Sequence, residues 1–106
     1  MNGLVKIWVD DVRPMPEGYT HLCRSVNECI SVLEKLNGTA EVFLDLDHDA
    51  GDFAPDGGDY IRILDYIEAF DLNINNRFTF SIHSMNVVGR QNMLRIIRTR
   101  GWRYTI

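Results

Sequence analysis

Three short apolar runs, each ending in a cluster of polar residues, constrain this chain most. They are Leu4–Val9, Val42–Leu46 and Phe78–Ile82. The first closes on Asp10-Asp11. The second contains Asp45 and is followed by Asp47-His48-Asp49. The third runs into His83-Ser84-Met85-Asn86. Helix-period segments lie between the strands. That alternation predicts an α/β fold, a mostly parallel five-stranded sheet with helices on both faces. The elements read as β-β-α-β-α-β-α-β. In a parallel sheet the three polar ends share one rim, where ligand sites of such sheets form.

Local signals place the elements. A short second strand is expected over Thr20–Arg24, after a loop with Pro14, Pro16 and Gly18. Ser25-Val26-Asn27-Glu28 is a capping box. It opens a helix with Val26, Cys29, Ile30, Leu33 and Leu36 on one face, stopped by Gly38. Asp59 is the expected cap of a helix with the stripe Tyr60, Ile63, Leu64, Ile67 and Phe70. Phe78, Phe80 and Ile82 alternate with Thr79 and Ser81, as in a strand with one face less covered. Ser84 or Asn86 caps a last helix carrying Val87, Leu94 and Ile97 and ended by Gly101. Trp102, Tyr104 and Ile106 alternate in a closing strand.

A chain of 106 residues predicts a single domain over 1–106. No apolar run reaches the ~18 residues of a membrane span. No charged-then-apolar leader opens the chain, so a cytoplasmic location is expected. Cys23 and Cys29 lack a CxxC spacing and read as small buried residues in a reducing compartment. The net charge of −4 argues against DNA as a partner. It is unevenly spread. From Asn86 onward there is no acid, while Arg90, Arg95, Arg98, Arg100 and Arg103 are all present. The simpler reading of that run is a solvated helix face rather than a phosphate patch.

The rim residues carry the chemistry. Like charges at Asp10, Asp11, Asp47 and Asp49 need a positive partner, and hard oxygen ligands suit Mg²⁺ or Mn²⁺. Asp45, Asp47 and Asp49 share one parity, which leaves Asp45 and Asp47 as alternatives for the central carboxylate. Asp52, Asp56 and Asp59 read as turn and cap residues. His48 and His83, at adjacent strand ends, are candidates for general acid and base, in either order. His21 has no acid near it in sequence and reads as structural or exposed. A helix starting at the rim would aim free N–H groups at a phosphate. Ser84, Asn86, Arg90 and Asn92 belong to that segment, and Arg13 lies in the loop after the first strand.

These residues resemble a family. An acidic pair after strand one, an Asp after strand three and Ser84 after strand four are similar to receiver domains of two-component signalling. Receivers also need a Lys at the end of strand five, and here only Lys6 and Lys35 exist; the helix that receivers carry between their first two strands is missing too. A working phosphorelay receiver is therefore not expected. The closer resemblance is to the cyclic-phosphate processing receiver-like domains. It rests on Asp10-Asp11-Val12-Arg13-Pro14, on Leu46-Asp47-His48-Asp49, and on the run His83 to Met93. Gly58-Asp59-Tyr60 has one extra residue, and Ala50 stands where the family has Leu. The resemblance implies a three-layer receiver-like fold and hydrolysis of cyclic phosphates of nucleotides or RNA ends. The expected partner is a phosphorylated small molecule or an RNA end, with no membrane. The alternative is a receiver-like binding module for a nucleotide or protein, without catalysis.

Overall fold

A computed structural model describes residues 4–105. Its elements are β1 (Leu4–Val9), β2 (His21–Cys23), α1 (Val26–Lys35), β3 (Glu41–Leu46), α2 (Ile61–Ala69), β4 (Phe78–Ile82), α3 (Val87–Thr99) and β5 (Arg103–Tyr104), with short 3₁₀ turns at Gly51–Phe53 and Ile74–Asn76. The five strands form one all-parallel sheet in the order β2-β1-β3-β4-β5. The element order and the receiver-like α/β class are those expected.

The layering differs from expectation. The crossovers through α1, α2 and α3 all step in the same direction across the sheet. Crossovers of one hand and one direction put their helices on one face. The burial agrees with this. Ile7, Val9, Val42, Leu44, Leu46, Phe78, Phe80 and Ile82 share a parity and form the core with Val26, Cys29, Leu33, Ile63, Ile67, Met93 and Ile97 of the helices. Helices on both faces are therefore not found among the described residues. The opposite face carries Lys6, Trp8, Phe43, Asp45, Thr79 and Ser81. The missing helix explains the difference. The step from β1 to β2 runs the other way, so its right-handed connection crosses the second face. Here that connection is a loop, and it lays Tyr19 against Trp8 and Phe43 at 5.4 and 6.3 Å. Lys6 sits over Tyr19 and Phe43.

Helix ends refine the sequence reading. Ser25 caps α1 by accepting from the Glu28 N–H at 3.0 Å. Glu28 completes the box one residue early, accepting from the Arg24 N–H. Helix α1 stops at an extended Leu36, ahead of Gly38. Asp59 does not cap α2. Tyr60 holds the N-cap position without a side-chain bond, and Asp59 accepts instead from the Ala50 N–H at 3.0 Å. The α2 stripe ends at Ile67, since Phe70 is 65% exposed and lies against Tyr66. Asn86, not Ser84, is the N-cap of α3, accepting from the Gly89 N–H at 2.9 Å. Val87 is exposed on the first turn of α3, and Gly89 and Met93 take the buried places. Gly101 follows α3 with φ of 69°, as a helix terminator does. Ile106 lies outside the described residues. Among them, no helix is long and apolar enough to cross a membrane.

Candidate functional site

The sheet ladder continues one residue past its strands and fixes the rim. The Asp47 N–H donates to the Val9 carbonyl and the His83 N–H to the Leu46 carbonyl, both at 2.9 Å. Asp10 is tied to Cys23 in the same way at 3.2 Å. The residues that end β1, β3 and β4 are thus held side by side by backbone bonds alone.

His83 is the centre of the first cluster. Its Nδ1 lies 2.7 Å from Asp45 Oδ1 and its Nε2 lies 2.9 Å from Asp10 Oδ2. Trp8 stacks on the ring, centroids 3.8 Å apart and planes 4° from parallel. Two carboxylates facing both ring nitrogens select the doubly protonated imidazolium. Burial alone would lower the His83 pKa, but the bonds to Asp45 and Asp10 outweigh it and raise the value. The same competition acts on Asp10, which is fully buried. Burial pushes its carboxyl up. The N–H groups of Arg13 and Val12, then the His83 ring and the Arg13 guanidinium, overcome that and hold it low. Tyr19 donates to Asp45 Oδ2 at 2.5 Å. Burial and that carboxylate push the phenol pKa up.

Arg13 supplies the second positive charge. Its Nη1 is 3.1 Å from Asp10 Oδ2 and 3.6 Å from Asp47 Oδ2. Arg24 braces the loop from beneath, donating to the carbonyls of Asp10 and Arg13 at 3.0 and 2.9 Å. The fully buried Tyr60 in turn donates to the Arg24 carbonyl at 2.6 Å. The positive partner that the crowded acids require is present in the chain itself, as Arg13 and His83.

A second cluster lies beyond Asp47. His48 Nδ1 is 2.7 Å from Asp49 Oδ1. That bond, ahead of the opposing effect of burial, lowers the Asp49 pKa. The Asn86 amide donates to both Asp49 oxygens, at 3.1 and 3.4 Å. With Nδ1 taken by Asp49, the His48 Nε2 has no hydrogen-bond partner among the described residues. Gly89 of α3 lies directly on the ring. A Cβ there would come within 2.4 Å of His48 Cγ.

The sequence-expected site residues thus divide. Asp10, Asp47 and His83 offer ligand atoms within 4.8 Å of one another. His48, Asp49 and Asp59 form a separate group of the same kind, which gives Asp59 a place that its sequence reading as a cap did not. Asp11 belongs to neither group, and its carboxylate lies against Gly51. Asp45, Asp47 and Asp49 do not converge, because β3 ends at Leu46 and each takes a different partner. Of the phosphate candidates, Arg13 and Asn86 reach the two clusters, and Ser84 accepts from the Asn86 N–H. Arg90 donates to the Ile82 carbonyl at 2.5 Å. Asn92 sits about 9 Å along α3 from its N-cap, at 1.5 Å per residue. Trp8, Tyr19, Arg24 and Tyr60 escaped the sequence reading. Trp8 and Tyr60 lay in apolar patterns, and nothing local marks Tyr19 or Arg24 as reaching across the sheet.

The model of one protein family, the Cyclic-phosphate processing Receiver domain, matches residues 5–99. No curated protein and no solved structure matches the chain.

Proposed function

Because the chain belongs to the cyclic-phosphate processing receiver family, we propose that it hydrolyses cyclic phosphate esters of nucleotides or RNA ends, with His48 as general base and His83 as general acid. The observation that carries this reading is the opposite surroundings of the two imidazoles. His83 has both nitrogens on carboxylates and is held charged, a proton donor. His48 has one nitrogen on Asp49 and leaves Nε2 without a partner among the described residues, the place where a base could meet water.

In this reading His48 Nε2 takes a proton from water as its oxygen bonds to phosphorus. The ring P–O bond breaks, and the departing alkoxide takes the proton of His83. Asp45 and Asp10 keep the His83 ring oriented, as Asp49 does for His48. Arg13, Ser84 and Asn86 position the phosphate oxygens. The carboxylates of Asp10 and Asp47 are hard oxygen donors that fit Mg²⁺ or Mn²⁺. Arg13 spans the same pair, so guanidinium and cation are alternatives there. A cation so held would neutralise charge on the phosphate.

The test is turnover of 2′,3′-cyclic nucleotides followed by phosphorus NMR, with Mg²⁺ or Mn²⁺ and with chelator. Loss of about 10²–10⁴ in rate is expected for His48→Ala and for His83→Ala, with His48→Ala remaining folded. A rate untouched by His48→Ala overturns the assignment. One observation favours the binding module: His83 is locked on both sides and could serve as a fixed internal cation. Tight nucleotide binding without turnover under every metal condition would select it.

A further inference from the structure

The two carboxylates on His83 are themselves held, and the loop between β1 and β2 holds both. The start of the loop grips Asp10. Its Oδ1 accepts from the Val12 and Arg13 N–H groups at 2.9 and 2.7 Å, and its Oδ2 takes the Arg13 guanidinium beside His83. The end of the loop meets Asp45. There Oδ1 faces His83 Nδ1 at 2.7 Å, and Oδ2 accepts from the Tyr19 hydroxyl at 2.5 Å. Each Asp45 oxygen thus has its own partner.

Asp45 depends on that second partner. It lies on the sheet face that α1, α2 and α3 leave free, so no helix side chain steadies it. A carboxylate turns easily about its last torsion, which is broad and roughly two-fold. One bond to one oxygen leaves its plane loose, and a donor on the other oxygen fixes it. The place of that donor is set by β1. Thr20, next to Tyr19, accepts from the Lys6 N–H through Oγ1 at 2.9 Å and donates its own N–H to the Lys6 carbonyl at 2.8 Å. The Lys6 ammonium lies 4.6 Å from the centre of the Tyr19 ring, and Trp8 and Phe43 flank that ring. Trp8 supports His83 from the same face. It is buried, and its indole N–H has no hydrogen-bond partner among the described residues. An unpaired buried N–H is costly, and a phenyl ring would fill the place without it. What the indole adds is the best aromatic face for a cation, stacked on the His83 ring.

We propose that Tyr19 is a positioning residue for His83: its hydroxyl fixes the Asp45 carboxylate, and Asp45 in turn fixes the His83 ring for proton transfer. The inference rests on the hydrolase reading above. The loop then does on the second face what a helix does on the first. It also ties the His83 ring to Arg13, since Tyr19 and Arg13 belong to the same short segment. A tyrosine that only shielded the sheet would need its ring and not its hydroxyl.

The test is Tyr19→Phe, which keeps the ring against Trp8 and Phe43 and removes the hydroxyl alone. With a 2′,3′-cyclic nucleotide, kcat is expected to fall about 10- to 100-fold, the scale of a displacement of about 1 Å. KM and Tm stay near those of the unaltered protein. NMR of protein carrying isotope-labelled histidine follows the ring without turnover. The His83 Nδ1–H signal is expected to broaden or exchange away in Tyr19→Phe, while the Nε2–H signal, held by Asp10, persists. An unchanged Nδ1–H signal overturns the proposal. So does an unchanged kcat in a protein that turns the substrate over. If no cyclic nucleotide is turned over but the Nδ1–H signal is still lost in the variant, Tyr19 positions His83 and the hydrolase reading falls. Should Tyr19→Phe not fold, Thr20→Val takes its place. It loosens the anchor on Lys6 and touches no group at the rim. The same Nδ1–H signal is expected to broaden, and its persistence overturns the proposal.

Discussion

The two histidine clusters solve one problem in opposite ways. His83 is enclosed: Trp8 covers its face, and Asp45 and Asp10 take both its nitrogens. His48 is supported from one side only, by Gly89 on the ring and an exposed Asp49 on one nitrogen. The enclosed cluster binds charge tightly and couples it to folding. The open one leaves a nitrogen for outside chemistry and contributes little to stability. The rim thus carries one enclosed and one open imidazole, on either side of Asp47.

Breaking the enclosed cluster should cost most. Asp10→Ala strands the charges of His83 and Arg13 and the N–H groups of Val12 and Arg13. Urea unfolding is expected to show a loss of about 3–5 kcal/mol, the usual result of removing one partner of a buried ion pair. A loss near zero would mean that the cluster does not hold the fold.

The same cluster sets a pH dependence. The raised His83 value makes its contribution complete below the ordinary imidazole value of 6.5, and lost as pH rises through the higher folded value. The lowered Asp10 value makes its contribution complete above 3.8, and lost as pH falls through the lower folded value. The pair is therefore strongest between 3.8 and 6.5. The stability gap between the protein and His83→Gln should narrow over the range above 6.5, as pH rises through the higher folded value. A gap that stays constant over that range would place the His83 charge elsewhere.

The open cluster yields smaller effects on stability. Gly89→Ala drives a methyl into the His48 ring, at an expected cost of about 1–3 kcal/mol for overpacking. Better helix propensity returns up to about 1 kcal/mol of it. The His48–Asp49 bond should break, visible as a shift of the imidazole NMR signals, and a shift without loss of turnover would separate that bond from catalysis. Asp49→Asn is the mildest change. Asp49 is more than half exposed, so the loss of stability stays under about 1 kcal/mol, while the rate should fall. A rate equal to wild type would show that His48 needs no orienting carboxylate.

The site was partly legible because strand ends are. Asp10, Asp47, His48 and His83 follow apolar runs, and parallel strands bring such ends to one rim whatever the packing details. The role of Asp45 was not legible. Its partner depends on β3 ending at Leu46, and because Asp45 and Asp47 share a parity, a two-residue shift of that end would exchange them. The positive side chains that meet the acids were not legible either. Sequence shows the crowded acids, but Arg13 and His83 answer them from loop and strand positions that only meet in space.

The order of apolar runs and helical segments by itself determined a parallel sheet and a polar rim, because period and punctuation are local properties of a chain. Only the tertiary structure decided which face of that sheet stays free of helices, and which carboxylate meets which imidazole. Those outcomes follow from the hand of each crossover and from distances of a few ångströms between residues 38 and 73 positions apart.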